Sequence, residues 1–324
     1  MKRFIQSIYK RWVRSESDPQ GELEDHIGIH FSDVGLTLVH VNKKNNALSF
    51  QQLFQEKESN HKSQVSWLKD KVDSHHLRGM VATILLPMSD YQIFLIDKPK
   101  VLDSEIKEAV QWQIAGYIEF PIEEAVVDYI ELPYKETLEG NPRMYVIVAE
   151  KNSIQKKIDC VQLAGLQVNN VDICQNALLK IAFQLDDPEE GQALLHIEDS
   201  ISHLIIFKDK TLYMMRELDI GLNDLSAFES EKSAIQLYHD LSLEIQRTLD
   251  YCSSNLKNAG VTRLLLTPLN KKTPQLLSHL SNLLGLPVRE IDFSEIIKDC
   301  EKISFTPEKN YTFALGAALE GKRC

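Results

Sequence analysis

Apolar positions along this chain follow two rhythms, and the switches between them outline its architecture. Residues 27–31 (IGIHF), 36–41 (LTLVHV) and 47–54 (ALSFQQLF) are short apolar runs of strand type, and the asparagines at 42, 45 and 46 tolerate the left-handed backbone of a turn. A strand meander is predicted there. A helix is predicted over 65–72, a buried strand over 81–86 ended by Pro87, and an extended stretch over 89–96. Asp103 or Ser104 can cap the next helix, whose first turn holds Glu105 and Glu108 where carboxylates suit the helix dipole. Ile106, Val110, Ile114 and Tyr117 form its predicted apolar face. Strands follow at 126–132 and 144–149, then a helix at 154–164 stopped by Gly165, a strand at 166–173 and a helix at 175–185.

The second half opens the same way, with strands at 193–197, 203–207 and 212–217 and a tight turn at Asp209 and Lys210. The most regular helix comes next. Ala234, Tyr238, Leu241, Ile245, Leu249, Cys252 and Leu256 recur at three- and four-residue intervals, and Gly260 stands where a C-terminal stop belongs. A strand at 263–266 and helices at 274–284 and 311–319 (YTFALGAAL) complete the reading. The small residues of the last helix suit close packing against a neighbour. Pairing Gly28 with Leu194 sets His30 on His196, Asp33 on Asp199, Leu38 on Leu204 and Val41 on Phe207. Similarity at so long a period points to duplicated halves rather than a short repeat, so the expected architecture is a two-lobed α/β protein.

Composition narrows the choices. At 324 residues the chain suits two domains, and no apolar run approaches the ~18 positions of a membrane span. A net charge of −11 argues against nucleic acid as a partner. Residues 1–14 stand apart: Lys2, Arg3, Lys10, Arg11 and Arg14 occur with no acidic residue, and Phe4, Ile5, Ile8 and Trp12 fall near helical spacing. That pattern is a basic amphipathic segment suited to an anionic membrane surface, with an ordinary frayed terminus as the alternative. Polar residues interrupt its apolar positions, so it does not read as a secretory signal. Residues 15–26, with the polar stretch SESDPQGELE, read as a linker. The 5 cysteines are scattered and match no zinc spacing, as expected of reduced thiols in core packing.

Candidate chemistry is sparse. The chain contains no GxxxxGK[ST], no GxGxxG and no nucleophile elbow. His30 and His196, at matching positions, raise a metal-site reading with Asp33 or Asp199 as a third ligand, but two histidines alone make a weak site. His75 and His76 read as a solvated loop.

The order of these motifs resembles the actin-like ATPase superfamily and, within it, the PilM proteins of type IV pilus assembly, nearest the MshI branch that serves mannose-sensitive haemagglutinin (MSHA) pili. The most specific stretch is 102–132, containing EIKEAVQWQIAGYIEFPIEEAVVDY, where that family shows a Glu-rich helix running into Tyr-Ile-Pro-Phe-Pro, two acidic residues and Asp-Tyr. Lesser matches are Ala164-Gly165-Leu166 with Val171-Asp172, the helix stretch 244–251 (EIQRTLDY), and 313–319.

The resemblance implies a two-lobed actin-like ATPase fold with a PilM-type inserted subdomain, the first lobe over 27–190 and the second over 191–324. It implies a cytoplasmic scaffold, peripheral at the inner membrane, that binds the cytoplasmic tail of a PilN-like bitopic membrane protein and connects it to the pilus motor ATPase. Residues 1–14 would add a membrane contact, and the tail-binding groove is expected around 81–117. A related type II secretion platform domain would continue into a transmembrane helix, and this sequence ends at Cys324 without one.

Carried onto this chain, the family's nucleotide motifs land on altered residues. Each hairpin of an actin-like ATPase bears Asp-x-Gly, whose glycine lets backbone N–H groups reach the phosphates and whose aspartate helps hold metal and water. Here those positions are His30 and Ser32, beside Asp33, and His196 and Glu198. The adenosine-side Gly-Gly turn is replaced by Thr267-Pro268-Leu269-Asn270. A carboxylate such as Glu198 repels a phosphate ~4 Å away by roughly 1 kcal/mol in water and by several near a protein surface. The expectation is a pseudo-ATPase with no catalytic residue and no cofactor. The alternative is a switch that holds ATP with Mg, using the hydroxyls of Ser32, Ser200 and Thr267.

Overall fold

The structure is a computed structural model and describes residues 25–33, 35–44, 47–57, 61–133, 141–185, 190–226, 231–255, 260–269, 273, 275–299 and 311–319. The basic segment 1–14, most of the linker, and Leu256, Pro274, Cys300 and Cys324 lie outside the described residues.

The first half runs β1 (Asp25–Ser32), β2 (Gly35–Lys44), β3 (Ala47–Glu56), α1 (His61–Ser74) and β4 (Val81–Leu85), followed by β5 (Tyr91–Asp97), α2 (Ile106–Ile114), β6 (Ala125–Glu131) and β7 (Arg143–Glu150). It closes with α3 (Lys151–Leu163), β8 (Gln167–Asp172) and α4 (Cys174–Gln184). The second half runs β9 (Gly191–Ile197), β10 (Ser202–Lys208), β11 (Thr211–Leu218), α5 (Leu222–Ser226), α6 (Glu231–Asn255), β12 (Val261–Leu266), α7 (Leu276–Leu284), β13 (Val288–Glu290) and α8 (Thr312–Ala318).

These strands make two five-stranded sheets of the same plan, β3-β2-β1-β4-β8 and β11-β10-β9-β12-β13. In each sheet an antiparallel meander is extended by two parallel strands reached through helices. The central strands β1 and β9 have neighbours on both sides, which is why their sequences read as nearly continuous apolar runs. His30 and His196 occupy equivalent places near the ends of these two strands, as the sequence pairing implies.

The third sheet, β5-β7-β6, is inserted between β4 and α3. On one face, Ile106, Val110 and Ile114 of α2 pack with Val127, Met144, Val146 and Val148. On the other, Tyr145, Ile147 and Ala149 of β7 join the core of the first sheet. Strand alternation thus supplies two cores from one strand. Tyr117 departs from the expected apolar face. The helix closes with the Tyr117 N–H donating to Ile114 O at 2.9 Å, and this turn carries Tyr117 out to 72% exposure, its ring 6.1 Å from that of Phe94. In the second half, Tyr238, Leu241, Ile245, Leu249 and Cys252 are buried, so the α6 stripe is core.

Sequence order places the last helix with the second half, but it packs elsewhere. α8 lies against β1, β2, β4 and α4, all of the first half. Two glycines permit this. A Cβ on Gly28 of β1 would stand 2.0 Å from Ala314 O, and one on Gly316 of α8 would stand 2.3 Å from Ala177 O. The chain also touches β3 on its way back, with Lys298 N donating to Leu48 O at 2.8 Å and Phe50 N to Lys298 O at 2.9 Å. Among the described residues, no helix is long and apolar enough to cross a membrane.

Candidate functional site

The two hairpin histidines meet at a residue that no local sequence pattern connects with them. Phe313, one residue into α8, stands edge-on to both rings, 5.0 Å from His30 and 4.7 Å from His196 by centroid. The close approach of α8 to Gly28 brings it there. Phe313 is fully buried, and so is His196, while His30 is half-buried.

Each histidine has its own second contact. His30 Nε2 lies 3.5 Å from Cys174 Sγ, whose thiol also reaches Leu86 O at 3.5 Å. His196 Nδ1 hydrogen-bonds Thr267 Oγ1 at 2.7 Å, and Thr267 N donates to Leu195 O at 3.0 Å. Burial among these groups disfavours the imidazolium form. It pulls both histidines down to about 4, although the Glu198 carboxylate, and Asp33 near His30, push the other way. Both rings are therefore neutral at pH 7. Cys174 is pushed well above the ordinary thiol range, first by burial and then by Glu198, which leaves it a protonated thiol rather than a nucleophile.

Glu198 follows the opposite logic. Burial alone would raise its pKa, but its Oε1 accepts a hydrogen bond from His203 Nε2 at 2.9 Å, and His196 and His30 stand nearby. The net effect holds it below the usual carboxylate range, so a negative charge sits at the second hairpin. At the first hairpin, Ser32 Oγ donates to Gly35 O at 3.1 Å, and the exposed Asp33 accepts from Ser89 Oγ through Oδ1. Thr267 is spent on His196. Pro268, half-buried after β12, offers no N–H at all.

The metal reading of the two histidines is not supported by this geometry. Their shared neighbour is an apolar ring, Asp33 and Asp199 are both exposed, and among the described residues no three His, Cys, Asp or Glu side chains converge to hold an ion. Nor do the residues fit a nucleoside triphosphate with its metal. Phosphate needs converging donors, whereas this cluster presents two neutral imidazoles, a thiol, a benzyl ring and an anionic carboxylate. Sequence reasoning identified the hairpin positions but missed Phe313, Cys174 and His203. The available signal for Phe313 was one large aromatic side chain in an otherwise small-residue helix. Within the stretch 81–117 where a groove is expected, β4 lies buried between β1 and β8, and the surface is presented by β5, α2 and the turns that flank them.

Comparison with known proteins follows this geometry. A family model described as type IV pilus assembly protein PilM matches residues 28–228. A chain of a solved PilM–PilN type IV pilus biogenesis complex superposes with a TM-score of 0.68 at 19% identity, covering 91% of this chain and 97% of that one. More distant are an actin-like ATPase-fold protein of unknown function from Bacteroides thetaiotaomicron and the ethanolamine utilization protein EutJ from Carboxydothermus hydrogenoformans. The first has a TM-score of 0.46 and 10% identity, over 89% of this chain and 98% of that one. The second has a TM-score of 0.47 and 9% identity, over 98% and 95%. Among curated protein sequences none matches this one. With its paired sheets, its inserted β5-α2-β6-β7 unit and a family match over more than half its length, this chain has the actin-like ATPase fold and belongs to the PilM family of type IV pilus assembly proteins.

Proposed function

We propose that this protein is a non-catalytic scaffold of the inner-membrane assembly platform of a type IV pilus of the MSHA type. It works at the cytoplasmic face, peripheral to the membrane through residues 1–14. Its first lobe, 27–190, holds the cytoplasmic tail of a PilN-like bitopic membrane protein, and the assembly relays to the pilus motor ATPase. Family membership and the likeness to a chain of a PilM–PilN complex support the platform role and the partner. The MshI-type assignment rests on the sequence resemblance along the whole chain.

The observation that carries the non-catalytic part is the packing of Phe313 against both hairpin histidines. An apolar ring stands between the hairpin positions that the resemblance matches to phosphate contacts, and Glu198 adds a repelling charge. Among the described residues of this cluster no side chain is placed to activate water or hold a metal, so the two-sheet architecture serves as a rigid frame for a peptide partner. Capture takes the form of an extended tail bound through backbone hydrogen bonds with apolar side chains as anchors.

Two measurements test the reading. Thermal denaturation with millimolar Mg-ATP is expected to leave the melting temperature unchanged, because a ligand stabilises a protein only if it binds the native state. A saturable rise would make the protein a nucleotide switch instead. Calorimetric titration with a synthetic PilN-like cytoplasmic tail is expected to give saturable heat, and its absence would remove the scaffold partner.

A further inference from the structure

The inserted subdomain presents a surface that its own fold does not explain. Among the described residues, the three most exposed large apolar side chains are Trp112 at 75%, Tyr117 at 72% and Leu102 at 69%. All three belong to α2 or its immediate flanks. The core-facing stripe of α2 is already filled by Ile106, Val110 and Ile114, so Leu102 and Trp112 are surplus to the subdomain's packing, while the exposed Tyr117 keeps one ring contact with Phe94. An exposed tryptophan across the helix from its core stripe, with further apolar side chains at the helix ends, is apolar surface open to a partner.

Its surroundings are predominantly acidic. Asp103, Glu105, Glu108, Glu119, Glu123 and Glu124 are all exposed along the same stretch. Against them stand Lys100 and the half-buried Lys107, while Lys98 is paired with Glu131 at 2.9 Å. An anionic membrane or a nucleic acid is repelled by such a face. A cationic segment with apolar anchors is attracted to it, both in approach and in register.

The chain carries one such segment. Residues 1–14 hold Lys2, Arg3, Lys10, Arg11 and Arg14 without a single acidic residue, interleaved with Phe4, Ile5, Ile8 and Trp12. We propose that this basic N-terminal segment docks in cis on the acidic, aromatic outer face of α2, its apolar side chains on Leu102, Trp112 and Tyr117 and its cations among the surrounding carboxylates. Residues 15–24 connect it to Asp25 at the start of β1. Docked, the segment cannot also lie on an anionic membrane. Membrane arrival and exposure of the α2 face are therefore linked, each favouring the other. The membrane half of this linkage rests on the peripheral role proposed above; the docking does not.

Photocross-linking of the full-length protein tests the contact directly. With Trp112→p-benzoylphenylalanine, the expected product is an intramolecular cross-link mapping to residues 1–14, lost in the triple variant Lys10→Glu, Arg11→Glu, Arg14→Glu and weakened severalfold in 0.5 M salt. The idea is overturned if no adduct maps to residues 1–14, or if the adduct joins two copies, which would make the face a dimer contact. Vesicles of phosphatidylcholine and phosphatidylglycerol give the second readout. Glu108→Lys with Glu119→Lys should release the segment and raise vesicle binding severalfold at an unchanged melting temperature, and equal binding by both forms counts against docking. If neither form binds vesicles, the peripheral membrane role fails, and the cross-link alone decides the docking.

Discussion

Replacing Phe313 by alanine tests both the energetics and the chemistry of the closed cleft. The side chain is 1% exposed and meets two rings edge-on, so its removal loses the transfer free energy of a buried benzyl group and leaves a cavity between the hairpins. Such substitutions cost about 3–5 kcal/mol, of which each aromatic edge contact supplies roughly 0.5–1.5. Urea denaturation of the full-length chain, followed by far-UV circular dichroism, should show a lower midpoint with an unchanged slope. The same cavity admits water to His30 and His196, relieving the burial that holds both down to about 4. Their titration, followed by NMR of the imidazole resonances, should move up toward the ordinary 6.5. A destabilisation below about 1 kcal/mol would refute the close packing, since a fully buried aromatic side chain cannot be removed so cheaply. So would finding both histidines near 6.5 in the unmodified protein.

Acid should weaken the fold in a defined window. Because both histidines are neutral in the folded state and depressed to about 4, the unfolded chain takes up protons first as the pH falls. Their contribution is complete above about pH 6.5 and is lost toward about pH 4, at up to about 1.4 kcal/mol per pH unit for each. Glu198, held below its ordinary value, acts in the same direction at the acid end of that range. Urea midpoints from pH 7.5 to 4.5 measure this, and a flat profile contradicts it. Gly28→Ala should destabilise by about 1–3 kcal/mol or more, because its new Cβ would lie 2.0 Å from Ala314 O and 2.5 Å from Ala318 N, both backbone atoms that yield only if α8 moves. Differential scanning calorimetry tests it, and an unchanged melting temperature would show that α8 does not lie on β1. Tyr145→Phe removes a hydroxyl that donates to Met215 O at 2.7 Å and accepts from Met215 N at 2.9 Å. Leaving those β11 groups unpaired should cost about 1–3 kcal/mol and speed amide exchange at Met215; unchanged exchange would exclude the bridge.

The amino-acid sequence by itself determined most of the strands and helices, that the two halves share one plan, and that the hairpin positions carry His30, Ser32, His196 and Glu198 where the resembled superfamily has Asp-x-Gly. These features are local. A strand run, a 3.6-residue stripe such as that of α6, or an acidic residue such as Glu198 in a hairpin turn is complete within a few neighbouring residues. Short elements escaped notice because α5 and β13 contain too few residues to establish a period. Tyr117 escaped because a turn, not the helix, sets its direction. Only the tertiary structure decided that α8 returns to the first sheet, that Phe313 touches both hairpin histidines, and that Cys174, His203 and Tyr145 complete the junction. Except for that of His203 with Glu198, those contacts join residues far apart in the chain. They depend on how closely two backbones approach, which Gly28 and Gly316 permit but do not announce. Periodicity records which face of an element is buried; it carries no information about which distant element comes to cover that face.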